Sequence, residues 1–169
     1  MCNALGNLFR LIIVTATAGA LTLSVFTALS CELVEYNQAN GITFGFFFRG
    51  IDGTCETDYY TTNDGIITGS RSALIISMCA GFIAGAMVLF EWLFCEICCA
   101  GVMEGLAYLL AWIAGGASFM FYGSEQCTSD GSECAFYDAS GYMTGACILY
   151  FGCNILLCFT PQPDPLCSK

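Results

Sequence analysis

Histidine is absent from this 169-residue chain. Its absence removes the commonest general base and the commonest metal ligand among side chains. Basic residues are also scarce: four Lys and Arg face 14 Asp and Glu, for a formal net charge of −10. Nucleic-acid binding needs clustered cations to neutralise phosphates, so no nucleic-acid partner is expected. Charge of either sign is low, at 11% of residues against about 25% in a soluble domain. No Asn-x-Ser/Thr acceptor occurs, and no acidic stretch matches an EF-hand calcium loop.

What is present is apolar. Hydrophobic residues make up 57% of the chain, too many for a soluble surface of this size to solvate. A helix needs roughly 20 apolar residues to cross the hydrocarbon core. Four stretches meet that need, over residues 9–30, 72–94, 103–122 and 139–159. The expected fold class is an all-α transmembrane four-helix bundle, one membrane domain over 1–169 with loops at 31–71 and 123–138. Arg10 before the first run and small residues such as Ala28 and Ser30 at its end resemble a signal peptide. Signal cores span roughly 7–15 residues, so this longer run is expected to be a retained span.

Cysteine positions set the expected orientation. Lys and Arg divide evenly, with Arg10 and Lys169 on one side and Arg49 and Arg71 on the other, so the positive-inside rule barely discriminates. The two loops hold Cys31, Cys55, Cys127 and Cys134, with acidic residues from Glu32 to Asp138. Spaced cysteines in polar loops indicate disulfides and an oxidising compartment. The loops are therefore expected outside or in a lumen, with both termini in the cytoplasm. A Cys31–Cys55 bond would close the first loop, and Cys127 and Cys134 are near enough to staple the second. Four cysteines permit three pairings. The acidic loop face is expected to be solvated.

The first loop reads as a small antiparallel sheet. Glu32–Tyr36 partly alternates, residues 37–41 signal a turn, and Ile42–Phe48 is β-branched and aromatic. Residues 51–53 form a second turn and Cys55–Tyr60 a further strand. Alternation would send Phe46 and Phe48 to one face and Phe47 to the other. Phe46, Phe47 and Phe48 are thus a candidate interaction surface, or else pack on the bundle or lipid.

Helix association in lipid relies on small residues. Gly81 and Gly85 lie four apart in the second run, Gly141 and Gly145 in the fourth, and Ala107, Ala111 and Gly115 recur likewise in the third. These positions are expected to pack helices within the bundle or against another membrane protein.

Four spans, a long sheet-like first loop, a shorter second loop and short inner termini resemble the claudin and peripheral-myelin-protein superfamily. That family carries a Gly-Leu-Trp signature followed by a cysteine. The nearest match here is Gly45-Phe46-Phe47 with Cys55 farther along, and the tryptophan is missing. The resemblance implies a left-handed four-helix bundle capped by an extracellular sheet, and roles in adhesion, barrier formation or service as an auxiliary subunit.

Other residues invite chemistry. Cys95, Cys98 and Cys99 at the inner boundary are lipidation candidates, with structural thiols and metal binding as alternatives. Cys95 and Cys98 also suggest a membrane thiol oxidoreductase, but the expected topology places them across the membrane from the loop cysteines. Glu91, Glu96 and Glu104 lie in or near the spans and read as boundary carboxylates reaching water or headgroups, with proton, ion or cofactor handling as alternatives. No catalysis and no cofactor are expected, although a bound pigment or lipid is compatible. The leading expectation is a non-catalytic scaffold, adhesion or auxiliary protein whose partners are the lipid bilayer, other membrane proteins or copies of itself. The alternatives are an accessory subunit of a photosynthetic or respiratory complex, an oligomeric ion pathway and the thiol enzyme.

Overall fold

The structure, a computed structural model, describes residues 2–36, 42–51, 54–56, 65–94, 100–124, 127 and 134–160. Four long helices dominate: α1 (Cys2–Leu29), α2 (Gly65–Leu93), α3 (Ala100–Ser118) and α4 (Asp138–Phe159). A 3-10 turn, Phe119–Gly123, prolongs α3. All four helical stretches are long and apolar enough to cross a membrane. At 1.5 Å per residue, the 22-residue α4 already reaches about 33 Å. Proline does not interrupt any of them; the three prolines of the chain lie beyond residue 160. Thr160 leaves α4 with ψ 118°, the extended conformation that a following proline, Pro161, imposes.

The second apolar run therefore begins earlier than residue 72. The helix starts at Gly65, and Arg71 is accommodated locally. Its Nε donates to the Phe46 carbonyl at 2.6 Å, and its guanidinium lies 5.7 Å from the Phe47 ring centre.

Burial along the helices repeats every seven residues. In α1 the buried side chains are Arg10, Ile13, Thr17, Ala20, Ser24 and Thr27. In α2 they include Ile67, Ser70, Leu74, Ser77, Gly81, Ala84 and Val88. Alternating steps of three and four keep one seam facing the neighbours when helices coil left-handedly. Each helix packs on two others: α1 and α3 both contact α2 and α4. Tyr108 and Tyr150, both with 0% exposure, fill the middle together with Ile13, Ala80, Ala84 and Ala146.

Five short strands cap the end where α1 and α3 finish. They are β1 (Val34–Tyr36), β2 (Ile42–Phe44), β3 (Arg49–Ile51), β4 (Thr54–Glu56) and β5 (Cys134–Phe136). The order is β4-β3-β2-β1-β5, antiparallel at each junction. The sheet is therefore not confined to the first loop. Val34 pairs with Phe136 and Glu35 with Ala135, so the second loop supplies an edge strand.

Two further details differ from the alternation pattern. Ile51 belongs to β3, not to a turn, and pairs with Ile42. The stretch Ile42–Phe48 is a strand only to Phe44, after which the Gly45 amide donates to the Phe48 carbonyl at 2.8 Å. Gly45 causes this break. A side chain there would collide with the Ser30 backbone at the end of α1, so only glycine permits the approach. Of the expected Cys55–Tyr60 strand, residues 57–60 lie outside the described residues.

Backbone contacts tie the sheet to the bundle. The first amides of α4 reach residues before β1: Tyr137 donates to the Leu33 carbonyl at 3.2 Å and Ala139 to the Glu32 carbonyl at 3.1 Å. These bonds satisfy donors that a helix start otherwise leaves open. Leu33, Val34, Phe46, Ile67, Leu74, Phe121 and Met143 form the apolar core beneath the sheet.

Candidate functional site

Two regions carry features that packing alone does not require: the stapled sheet at one end of the bundle, and a buried charged cluster at the other.

At the sheet end, both loop cysteine pairs are bonded, Cys31 to Cys55 and Cys127 to Cys134. The first bond runs from the end of α1 to strand β4, with Cys31 Sγ lying close over Gly50 of β3. The second delivers β5 to the edge of β1. The side chains of β4 are all exposed. On β5, Phe136 is 68% exposed and stacks 4.3 Å from Tyr122, with Phe119 alongside. Phe26 and Tyr142 pair at 6.3 Å on the neighbouring outer surface of α1 and α4.

The phenylalanine run is divided differently from the alternating pattern. Phe46 is 1% exposed and packs edge-on against Phe121 at 5.8 Å, so it belongs to the core and not to a contact surface. The turn at Gly45 turns Phe46 inward. Phe47 and Phe48 are half-buried. Among the described residues the most exposed aromatic at the sheet is Phe136, which the sequence does not single out; a three-residue strand is too short to show alternation.

The small-residue positions also divide. A β-carbon at Gly81 would lie 2.5 Å from the Tyr150 ring, and one at Gly85 2.7 Å from Thr17. At Gly115 it would meet Cys147 at 2.8 Å, and at Gly145 Leu23 at 3.2 Å. Ala111 is fully buried and its carbonyl accepts from Ser77 at 2.7 Å. Ala107 packs at the margin of the core. Gly141 is the exception: it is exposed, with nothing within 4 Å. The four-residue spacing from Gly145 points to Gly141, but the seam steps instead from Ala139 to Met143 and Ala146.

At the opposite end, Arg10 of α1 pairs with Glu91 of α2 at 3.8 Å, their side chains 9% and 8% exposed. Glu91 thus has a basic partner, contributed by the first helix. Glu104 of α3 is 2% exposed, so it is not a boundary carboxylate reaching water. Its Oε1 has no hydrogen-bond partner among the described residues. One turn along α3, the Tyr108 hydroxyl lies 2.6 Å from Thr17 Oγ1. Thr17 in turn donates to the Ile13 carbonyl at 2.7 Å, which leaves Tyr108 as donor to Thr17. Cys153 adds weak contacts of 3.7 Å to Thr17 and to the Ile13 carbonyl.

These residues share a spacing visible in the sequence. Arg10, Thr17 and Ser24 are seven apart, as are Ser70, Ser77, Ala84 and Glu91, then Glu104, Ala111 and Ser118, and Ser140, Cys147 and Asn154. A search for four-residue small-residue steps passes over this ladder; a seven-residue count finds it.

The lipidation candidates Cys95, Cys98 and Cys99, and Glu96, lie outside the described residues. Cys147 and Cys153 are buried thiols, whereas Cys79 and Cys158 are exposed. Among the described residues, no three His, Cys, Asp or Glu side chains gather closely enough to hold a metal ion. Comparison with protein-family models and with curated proteins finds no match for this chain.

Proposed function

We propose that this chain is a multi-pass membrane protein whose work is binding: a four-span scaffold or auxiliary protein, claudin-like in architecture, that meets its partners through the stapled sheet and the outer helix faces. The observation that carries this reading is the sheet itself. Two loops from separate halves of the chain are knitted into one five-stranded cap and fixed by two disulfides. Its outer strands nonetheless present side chains, Phe136 most of all, away from the core. A rigid cap with an exposed aromatic is suited to contact with a neighbouring protein or a lipid headgroup layer.

The disulfides support placement of the cap outside the cell or in a lumen, because such bonds persist in oxidising compartments. The apolar outer helix faces, including Phe82, Ile83, Leu106, Ile113 and Ile148, support lipid as their surroundings.

The test has two parts. The substitution Ala39→Ser creates a glycosylation acceptor at Asn37 between β1 and β2. It should be modified in microsomes if the cap is lumenal. Cross-linking in native membranes, followed by purification in mild detergent and mass spectrometry, should give adducts that map to the cap or helix faces. They should join the chain to a membrane protein or to its own copies. A glycan-free Ala39→Ser product, or a strictly monomeric chain without cross-links, would overturn the proposal.

A further inference from the structure

At the end of the bundle opposite the sheet, two carboxyl groups and one guanidinium meet, and their formal charges do not cancel. Arg10 is committed to Glu91 at 3.8 Å. Glu104 is 2% exposed and its Oε1 is unpartnered among the described residues. Its charged neighbours are Glu91 and Arg10. Among the described residues, the other titratable group linked to it is Tyr108 on its own helix, whose hydroxyl is engaged with Thr17; Cys153 on α4 touches that same Thr17 and the Ile13 carbonyl. From α4, Asn154 also approaches at the level of Gly105. None of these neutral groups supplies positive charge.

An ionised carboxylate that is buried without a partner is strongly unfavourable. An orphaned buried polar atom in a folded protein points to a group that satisfies it. Arg10 can neutralise only one of the two acids. One negative charge is left over among the described residues, with Arg10 as the cation both acids share.

We propose that Glu104 and Glu91 form a binding site for a single positive charge taken up from solution, a proton or a small monovalent cation. A divalent ion does not match: it would overcompensate the one surplus charge, and no three-ligand group of metal-binding side chains occurs among the described residues. The helix ends bring the site together. Arg10 lies eight residues into α1, Glu91 two residues before the end of α2, and Glu104 in the second turn of α3. Uptake of the charge therefore ties three helices together at the end that no sheet holds. The site does not depend on the scaffold role proposed above.

The experiment uses the purified full chain in mild detergent. Thermal unfolding is followed against pH in sodium-free buffer, and separately against NaCl at fixed pH. A ligand that binds only the folded state raises the folded-to-unfolded ratio about tenfold for each tenfold rise beyond its dissociation constant. The unfolding midpoint should rise as pH falls if the occupant is a proton, or with Na+ if it is the cation. Glu104→Gln should lose that response while folding normally, because the amide keeps the shape and removes the charge. Glu91→Gln should lose it too, since Arg10 then becomes available to Glu104; this variant carries the test if Glu104→Gln does not fold. Infrared spectra separate the occupants: a protonated-carboxyl band absent from Glu104→Gln identifies the proton. A wild-type midpoint indifferent to both titrants, or variants that respond as wild type does, would overturn the proposal.

Discussion

Two identical substitutions, Gly81→Ala and Gly141→Ala, should change stability in opposite directions. At Gly81 the added methyl would sit 2.5 Å from Tyr150 Cε1 and 2.6 Å from Cζ and the hydroxyl oxygen. Carbon atoms pack best at about 3.5–4.0 Å, so the ring would have to retreat by about 1 Å. Tyr150 has 0% exposure and nowhere open to go. Overpacking of this kind costs about 1–3 kcal/mol, and the better helix propensity of alanine returns only about 0.5–1 kcal/mol. The net cost should be about 1–2 kcal/mol. At Gly141 nothing lies within 4 Å, so only the propensity gain of about 0.5–1 kcal/mol remains. Thermal unfolding in mild detergent, followed by near-ultraviolet circular dichroism, should separate the two variants by several degrees, since about 1 kcal/mol shifts the midpoint by about 2–4 °C at this size. Adding Tyr150→Leu should relieve most of the Gly81→Ala penalty, a coupling of about 1 kcal/mol. Equal effects at the two glycines, or a larger loss at Gly141, would refute the seam described above.

Replacing Cys31 and Cys55 together by serine should lower stability by about 3 kcal/mol in the chain-entropy account, given their sequence separation of 24; melting under oxidising and reducing conditions measures this, and a reductant should then no longer affect this part of the wild-type difference. Tyr108→Phe and Tyr150→Phe should differ as well. The first removes a 2.6 Å hydrogen bond to Thr17 and should cost about 1 kcal/mol. The second removes a buried hydroxyl whose polar neighbour is Ser24, itself engaged with the Ala20 carbonyl at 2.9 Å, and which makes no hydrogen bond of good geometry among the described residues; it should cost less than the first, and equal losses in melting experiments would refute the distinction.

Much of the fold can be read from the sequence because lipid-length apolar runs are hard to conceal. The four helices lie where the long uncharged stretches predict them. The limits are less legible where polar residues are locally satisfied. Arg71 ends the apolar run, yet α2 continues back to Gly65 because the Phe46 carbonyl and Phe47 ring receive the guanidinium. The loop cysteines are conspicuous, but the sequence leaves three pairings open; the fold selects Cys31–Cys55 and Cys127–Cys134 by bringing the end of α1 to β4 and the start of β5 to Cys127. The fifth strand was hidden because Cys134–Phe136 has only three residues and is recruited by β1, a hundred residues upstream, not by its own propensity. Phe46 shows a further limit. Its alternation with Phe47 and Phe48 presumes a continuous strand, and a tertiary contact between Gly45 and Ser30 breaks that strand. The charged cluster lies between these cases. Its acids are conspicuous, but only the tertiary arrangement brings Arg10 to Glu91 and leaves Glu104 Oε1 without a hydrogen-bond partner among the described residues.

The arrangement β4-β3-β2-β1-β5 also sets a timetable for biosynthesis. Strands β1–β4 emerge early, but β1 cannot obtain its outer neighbour until residues 134–136 have been made, after α3. Until then an unpaired strand edge is presented beside a nascent apolar helix, the kind of edge that recruits other chains. The same late residues lead directly into α4, whose first amides dock on Glu32 and Leu33. Arrival of the last helix and closure of the earliest strand are thus one event. A ribosome stalled anywhere before residue 134 would leave a product with an open edge that quality control can recognise.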